Sequence, residues 1–344
     1  MVYVVTSTEK TNQSASEGET KALLYLMNFH KDSDQIFYFV IDFFNDVTGI
    51  HRMGDRAWDI QSKASKNLRG KQIGEYLVTL YKNYQSDFNK NFVNYILFTG
   101  GFASTILKDN TIKTFNIENF NEESKKSIIE GLKKACIEKK YIDETRITNE
   151  SIDDFLLKVT FVGENKNKSD YIKSIIKIKS STIINNEYLD KIFDEIKKHQ
   201  SGKKCENKEN ITINIMREFD KHNRHVTSNE IKMLVLSRLL HRSNIAEGTP
   251  NCFSPVLDGR ELSDRKEIIE ECKNEIFRML FDKANASSYW ILFEEIHSAV
   301  INNKNFSVVE IFDLIDRQKI EAIPHLTFNS TMFFIALVKD WMEE

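Results

Sequence analysis

The sequence predicts an α/β domain followed by a mainly α-helical domain. Helix, strand, strand, helix and strand patterns follow one another in the N-terminal part, which is typical of an α/β core. Gly and Pro are scarce, at 12 and 3 of 344 residues, and this favours long regular elements over a many-turned all-β fold. The length suffices for about two domains. We expect them at 1–205 and 206–344.

The first elements are a helix and two strands. Residues 16–30 place apolar side chains on one face at helical spacing, and Ser16 with Glu19 has the spacing of a capping box. Two strand-like runs follow at 36–47 and 57–64, joined by a loop that contains glycine. The pattern therefore predicts a helix that precedes a hairpin or short meander.

A second helix and a buried strand complete the predicted core. The helix covers about 70–85, and the apolar run at 92–99 ends at Gly100 and Gly101, which is typical of a buried strand. A lysine-rich helix at 121–141 is expected on the outside of the core. The remaining predicted elements of this domain are a strand at 156–162 and helices near 169–178 and 186–199.

The polar run at 200–210 is the best candidate for a linker between the two domains. Beyond it the pattern is helical. Thr227 with Glu230 and Ser307 with Glu310 have capping-box spacing before apolar runs. Strongly apolar helices near the C-terminus are expected to form a core or to dock a partner.

Composition limits the class and location of the protein. The formal charge of -3 excludes a generally basic nucleic-acid coat protein, so any contact with nucleic acid has to be local. The N-terminus lacks the pattern of a secretory signal, and no run of about 18 apolar residues predicts a membrane span. The four Cys residues form no CxxC pair, which favours reduced thiols. We therefore expect a cytoplasmic protein.

A carboxylate, an amide and a lysine are predicted to converge on the first two strands. Alternate side chains of a strand share a face, so Gln61 and Lys63 lie together, and Asp46 can approach them if the two strands are neighbours. Hard oxygen ligands of this kind hold Mg²⁺, and a lysine can orient or deprotonate an attacking water. Glu19 on the preceding helix could supply a further carboxylate. This arrangement suits phosphodiester hydrolysis.

These residues resemble the PD-(D/E)xK nuclease superfamily in its QxK form, with Gln61-Ser62-Lys63 as the second motif and Asp46 as the first acid. The segments VIDFFNDV (40–47) and WDIQSKAS (58–65), with the helix before them, are similar to the double-stranded-DNA nuclease domain of bacterial antiphage effectors. That domain occurs in the CD-NTase-associated endonucleases of CBASS and in the nuclease subunit of Lamassu systems. The helical second domain favours the Lamassu type.

The resemblance implies a role for each motif residue. It implies a restriction-endonuclease-like mixed sheet flanked by helices, and Mg²⁺ or Mn²⁺ as the cofactor. The implied partners are double-stranded DNA, an SMC-like sensor, an accessory subunit and further copies of the active chain. The implied metal ligands are Asp46, Gln61 through its amide oxygen, Ser62 through its backbone carbonyl, and Glu19, for which Glu17 is an alternative; Lys63 is the implied catalytic lysine.

A basic strip follows the motif. Residues 61–91 carry six cations against two acids. Lys66, Arg69 and Lys71 are predicted to contact DNA phosphates, and an ordinary solvated helix face is the alternative. Because no base-reading element is evident, sequence specificity is expected to be weak.

Other interpretations of the same residues remain open. Gln61 replaces the more common acid, so the chain could be a non-catalytic adaptor that only binds DNA or protein. A restriction- or resolvase-like enzyme that acts alone is a further possibility. His222 and His225 could form a metal pair, but their polar surroundings favour surface histidines.

Overall fold

The computed structural model describes residues 3–5, 16–139, 142, 144–164, 166–176, 185–204, 211–241 and 248–343. The chain forms two compact units. One comprises residues 1–171 and 193–228, and the other comprises 172–192 and 229–344. The first unit is mixed α/β and the second is helical, so the predicted α/β class with a helical C-terminal region is confirmed.

The first unit contains, among the described residues, a seven-stranded mixed sheet and a two-stranded sheet. The order in the large sheet is β6-β7-β5-β4-β3-β2-β9, and β1 pairs with β8. Strands β4, β5 and β7 run parallel, whereas the other pairings are antiparallel. The strands are β1 Tyr3–Val5, β2 Ile36–Ile41, β3 Val47–His51, β4 Ala57–Lys63, β5 Phe92–Thr99, β6 Thr114–Phe115, β7 Val159–Gly163, β8 Ile211–Ile213 and β9 His225–Thr227.

The run predicted as one strand at 36–47 is a strand only as far as Ile41; a tight turn follows, and Val47 begins the next strand. Asp42 adopts a left-handed backbone with a φ of 48°, and its N–H donates to the carbonyl oxygen of Asp46 at 3.0 Å. The prediction was wrong here because Asp tolerates this backbone, which ends β2 and reverses the chain. Asp46 therefore lies at the end of a turn, directly before β3.

Helices cover both faces of the large sheet. Tyr25 of α1 (Glu17–Asn28) packs on Phe98 of β5. Tyr84 of α3 (Val78–Tyr84) packs on Tyr95 of the same strand, and the odd spacing of 95 and 98 places these two side chains on opposite faces of the sheet. The helices that begin in the first unit or contribute to it are α1 Glu17–Asn28, α2 Gly70–Tyr76, α3 Val78–Tyr84, α4 Glu122–Lys139, α5 Asn149–Leu157, α6 Lys168–Ile176 and α7 Asn186–Gly202.

Two predicted elements have different limits. The helix expected at 70–85 is broken at Leu77, whose N–H is shared between the carbonyls of Ile73 and Gly74. The strand expected at 156–162 starts later, because α5 continues to Leu157. The lysine-rich helix and the helices near 169–178 and 186–199 are confirmed as α4, α6 and α7.

The backbones of helices α2 and α4 are in direct contact where they cross, because each helix has a glycine at the contact, Gly74 in α2 and Gly131 in α4. A Cβ atom on Gly74 would overlap the carbonyl oxygen of Ile128, and one on Gly131 would overlap the carbonyl oxygen of Lys71. The lysine-rich helix is therefore not only an outer layer, because its backbone lies directly against the helix that follows the motif.

The boundary between the units differs from the predicted boundary after residue 205. Strand β8 pairs with β1, for example Ile213 with Tyr3, and β9 pairs with β2, for example Val226 with Phe39. Residues 211–228 therefore belong to the α/β unit. Of the predicted linker, 200–202 end α7 and 205–210 lie outside the described residues.

The second unit is built from helices. The predicted Ser307–Glu310 capping box is present, with the Ser307 hydroxyl accepting from the Glu310 N–H. Among the residues that the structure describes, no helix combines the length and hydrophobicity needed to cross a bilayer. The helices are α8 Ser228–His241, α9 Leu262–Phe281, α10 Ala286–Asn302, α11 Val308–Leu314, α12 Arg317–Glu321 and α13 Phe328–Glu343.

Candidate active site

The first acid and the second motif are in direct contact. Val47 pairs with Ile60 in the antiparallel β3–β4 register, which brings Asp46 opposite Gln61. Asp46 Oδ2 accepts a hydrogen bond from Gln61 Nε2 and another from the Ser62 backbone N–H, both at 2.7 Å. The structure thus places Asp46, Gln61 and Ser62 together at the end of β4.

The orientation of the Gln61 amide matters for any metal. Its oxygen Oε1 accepts from Thr79 Oγ1 at 2.6 Å, and its nitrogen faces Asp46. Metal ligation through the amide oxygen requires the amide to turn by half a rotation. This rotation exchanges the positions of Oε1 and Nε2. The Thr79 hydroxyl tolerates it, because a hydroxyl that donates to Oε1 can instead accept from Nε2. With that rotation, Asp46 and Gln61 fit a hard divalent cation.

Lys63 is the last residue of β4 and shares a strand face with Gln61. Its side chain is half-buried, and Nζ lies 5.5 Å from the ring centroid of Tyr76, close enough for a cation–π contact. Tyr76 ends α2, and its hydroxyl lies 3.5 Å from Ser65 Oγ. The lysine is therefore held at the C-terminal end of β4, two residues beyond Gln61.

Helix α1 brings its first turn, which contains Glu19, against β4 at Ser62. The residue before Glu19, Gly18, lies against Ser62: a Cβ at position 18 would be 3.0 Å from Ser62 Oγ. The Ser16 hydroxyl caps the helix by accepting from the Glu19 N–H at 3.1 Å. The Glu19 carboxylate is bound to Lys204, with Nζ 2.6 Å from Oε2. Glu19 therefore lies beside the motif but has a cation of its own.

Lys204 is fixed in place by Arg224, which is 1% exposed. The guanidinium donates to the carbonyls of Lys203, Lys204 and Asp42, each at 3.2 Å. Its Nη2 also lies 3.6 Å from Asp42 Oδ2. Sequence reasoning missed Lys204 and Arg224, because both come from segments far from the motif and no local pattern marks them.

Glu17, the alternative helix acid, is paired with two other lysines. Its carboxylate pairs with Lys21 at 2.8 Å and with Lys168 at 3.6 Å, and its side chain is 46% exposed. The hydrogen bond from Lys21 is the main cause that lowers the pKa of Glu17. The Glu19 side chain is only 16% exposed, so Glu19 is the better candidate of the two.

Asp59 is fully buried two residues before Gln61 and serves the core. Its carboxylate accepts from Thr48 Oγ1 at 2.8 Å, from Asn83 Nδ2 at 2.7 Å and from Asn45 Nδ2 at 3.3 Å. Burial raises its pKa to about 6, although these hydrogen bonds oppose the rise. Tyr3 donates to Asn83 at 2.7 Å and extends the network to β1.

The three predicted DNA-binding cations are exposed between β4 and α2. Lys66, Arg69 and Lys71 all have exposed side chains. The stem of Lys66 lies on Gly100, where a Cβ would be 3.0 Å from Lys66 Cγ. Their contact with DNA stays a prediction.

No family model, curated protein or solved structure matches this chain. The mixed sheet with flanking helices agrees with the predicted class, while its assignment as a PD-(D/E)xK core stays a prediction. The roles of Asp46, Gln61, Ser62, Lys63 and Glu19 likewise stay predictions, now with the contacts given above.

Two other groups of candidate ligands have structural partners. Within the described part of the chain, Cys252, Asp340 and Glu343 come close enough to share an ion. Asp340 already accepts the backbone N–H groups of Asn251 and Cys252, so it caps the turn at this position. The two histidines considered above also have separate partners. His222 stacks on Phe43, and His225 Nε2 lies 3.6 Å from Asp220 Oδ1.

Proposed function

We propose that this chain is a Mg²⁺- or Mn²⁺-dependent endonuclease that hydrolyses phosphodiester bonds of double-stranded DNA. The observation that carries the proposal is the contact of Asp46 with Gln61 and Ser62, with Lys63 at the end of the same strand. Exposed Lys66, Arg69 and Lys71 beyond the strand support contact with DNA phosphates.

Each residue has a definite task in this proposal. Asp46 and the rotated Gln61 amide would hold the metal, which would supply positive charge to the phosphate. Lys63 orients the attacking water or takes up its proton. Glu19 could serve as a further ligand, and its carboxylate would then have to separate from Lys204. The neutral amide at position 61 contributes less negative charge than an acid would, so metal affinity is lower without substrate phosphate.

The biological setting is proposed from the resemblance. The enzyme would be an effector of an antiphage defence system, held inactive by partner subunits and active after release and self-assembly. The helical second unit supports this setting, because it offers a separate body to which partners could bind. Control of this kind is physically sensible for a nuclease that would otherwise cut its own cell's DNA.

A second candidate function is a non-catalytic adaptor with a nuclease-like fold. The observation that favours it is that both acids are satisfied without a metal, Asp46 by Gln61 and Ser62, and Glu19 by Lys204. An adaptor would bind DNA or protein and show no response to divalent cations.

One experiment separates the two functions. The purified full-length chain is incubated with plasmid and linear duplex DNA in Mg²⁺, Mn²⁺ or EDTA, and its melting temperature is measured in the same buffers. We expect metal-dependent cutting that falls by about a hundredfold or more in Lys63→Ala. Lys126→Ala on α4 is the control, because it removes the charge of an exposed lysine outside the motif. Equal cutting by Lys63→Ala would contradict the proposal, and a wild-type chain with neither cutting nor a metal-dependent thermal shift would favour the adaptor.

A further inference from the structure

A cavity of about 640 Å³ opens at the carboxyl ends of the parallel strands β5 and β7. Gly100 and Gly101 follow β5, Gly163 ends β7, and Asn67 comes from the segment after β4. Ligand sites of α/β sheets commonly lie at this edge, and the volume is in the usual range for a small-molecule site.

The walls combine apolar, cationic and backbone surfaces. The apolar part consists of Phe102, Leu107, Ile112 and Phe115. Two cations line the same cavity, Lys113, which is exposed, and Lys166, whose Nζ lies 2.8 Å from the carboxylate of Glu164 in the wall. Aromatic rings beside lysines are what a nucleotide needs, since bases stack on rings and phosphates pair with cations.

The glycine at position 101 leaves room in the cavity wall. Gly101 has a φ of 144°, a conformation that residues with a Cβ rarely adopt, and no atom lies within 4 Å of the position a Cβ would take. The N–H groups of these glycines are already bonded inside the protein: that of Gly100 to the Ser65 carbonyl, that of Gly101 to Thr99 Oγ1 and that of Gly163 to the Lys113 carbonyl. The glycines therefore contribute space to the cavity, and its lysines remain the donors for a ligand.

The cavity lies next to the candidate catalytic lysine. Lys63 pairs with Thr99 in the parallel β4–β5 register, and Thr99 directly precedes Gly100. Neighbouring strands are about 4.8 Å apart. The backbone of Lys63 is therefore about one β-strand spacing from Thr99, the residue before the first glycine of the cavity wall. A nucleotide that neighbours the phosphate at Lys63 can span this distance.

We propose that this cavity binds one nucleotide of the DNA strand, adjacent to the phosphate on which Lys63 acts. The inference rests on the proposed nuclease function and adds a subsite to it. The base packs against the wall formed by Phe102 and Phe115, and the phosphate lies near Lys113. The subsite fixes the position of the strand relative to Lys63 and requires no recognition of sequence.

The test measures nucleotide binding in EDTA, apart from any cleavage. Deoxyadenosine 5′-monophosphate, deoxyadenosine and inorganic phosphate are titrated separately into the full chain, with heat or ligand-observed NMR as the readout. We expect saturable binding of the monophosphate that is weaker by about tenfold or more in Lys113→Glu and in Ser104→Trp, which fills the exposed mouth. Lys126→Glu is the matched control and keeps wild-type binding.

Duplex affinity is then measured by fluorescence anisotropy in EDTA with the same variants. We expect Ser104→Trp to weaken it, whereas Lys126→Glu does not. Absence of saturable monophosphate binding, or equal binding by wild type and both cavity variants, would overturn the subsite. If the monophosphate binds at the cavity but no DNA is cut in metal, the nuclease proposal fails while the nucleotide site stands.

Discussion

Gln61 turns its amide nitrogen towards Asp46, at 2.7 Å from Oδ2, and leaves its oxygen to the Thr79 hydroxyl. The pair is therefore satisfied without a metal. Binding of a cation has to compete with this hydrogen bond, because the amide must rotate before its oxygen can act as a ligand.

Gln61→Glu should make the site more dependent on metal. The variant loses the N–H donor to Asp46 and places two carboxylates side by side, so unfolding free energy in EDTA should fall by about 1–3 kcal/mol. Mn²⁺ should then raise its melting temperature more than that of wild type. The measurement is thermal unfolding with and without metal, and Asp46→Asn in the same background should remove the extra shift. A metal response identical to wild type would contradict this assignment of the two residues.

Lys204→Ala should release Glu19. Removing one partner of a largely buried ion pair costs about 1–3 kcal/mol here, because the Glu19 side chain keeps some contact with solvent. At the same time the freed carboxylate should bind Mn²⁺ more tightly, whereas Glu19→Gln should weaken binding. Titration of Mn²⁺ into wild type, Lys204→Ala and Glu19→Gln measures the two changes in affinity, and chemical denaturation in EDTA measures the loss of stability. Lys203→Ala is the matched control, and an unchanged Mn²⁺ affinity in Lys204→Ala would exclude Glu19 as a ligand.

Asp59 should give stability a characteristic dependence on pH. Its pKa is higher in the folded protein, about 6, than its ordinary value of 3.8. Protonation of Asp59 therefore adds to the unfolding free energy: the contribution is fully present below pH 3.8 and is lost as the pH rises through about 6. The difference in unfolding free energy between wild type and Asp59→Asn should decrease by up to about 3 kcal/mol from pH 4 to pH 7. Denaturant titrations at several pH values measure it, and Asp87→Asn, an exposed acid, should show a flat difference.

Gly131→Ala and Gly74→Ala should destabilise the first unit. Alanine normally favours a helix over glycine by about 0.5–1 kcal/mol, but here the added methyl groups overlap the backbones of α2 and α4. We expect a loss of about 3 kcal/mol or more, or failure to fold. Gly202→Ala at the end of α7 is the control, since no atom lies within 4 Å of its Cβ position. Chemical denaturation compares the three, and wild-type stability in Gly131→Ala would rule out the close crossing.

Replacing Lys66, Arg69 and Lys71 together by Ala should weaken DNA binding in a salt-dependent manner. Each lost phosphate contact should reduce the slope of log affinity against log salt by about 0.9 for duplex DNA. Anisotropy titrations of a duplex in EDTA between low and moderate salt give this slope. A triple variant with the wild-type slope would show that the strip is a solvated helix face.

The strand motif was predictable, whereas its surroundings were not. Alternation in β4 placed Gln61 and Lys63 on one face. Asp46 reaches Gln61 from the turn before β3, the strand that pairs with β4, and not from the predicted strand at 36–47. The turn at Asp42 was missed because a single left-handed residue leaves no periodic signal. The unit boundary was missed because β9 has only three residues, His225–Thr227, and pairing with β2 rather than composition assigns it to the sheet.

Arg224 stabilises the backbone beside both acids of the candidate site. Through the Asp42 carbonyl it supports the turn that ends at Asp46, and through the carbonyls of 203 and 204 it supports the partner of Glu19. Asp46 and Glu19 are far apart in the sequence, yet the same guanidinium holds the turn before Asp46 and the backbone of the lysine that pairs with Glu19. A change at this buried arginine is therefore expected to loosen the turn before β3 and the position of Lys204 together, although Arg224 itself lies outside the motif.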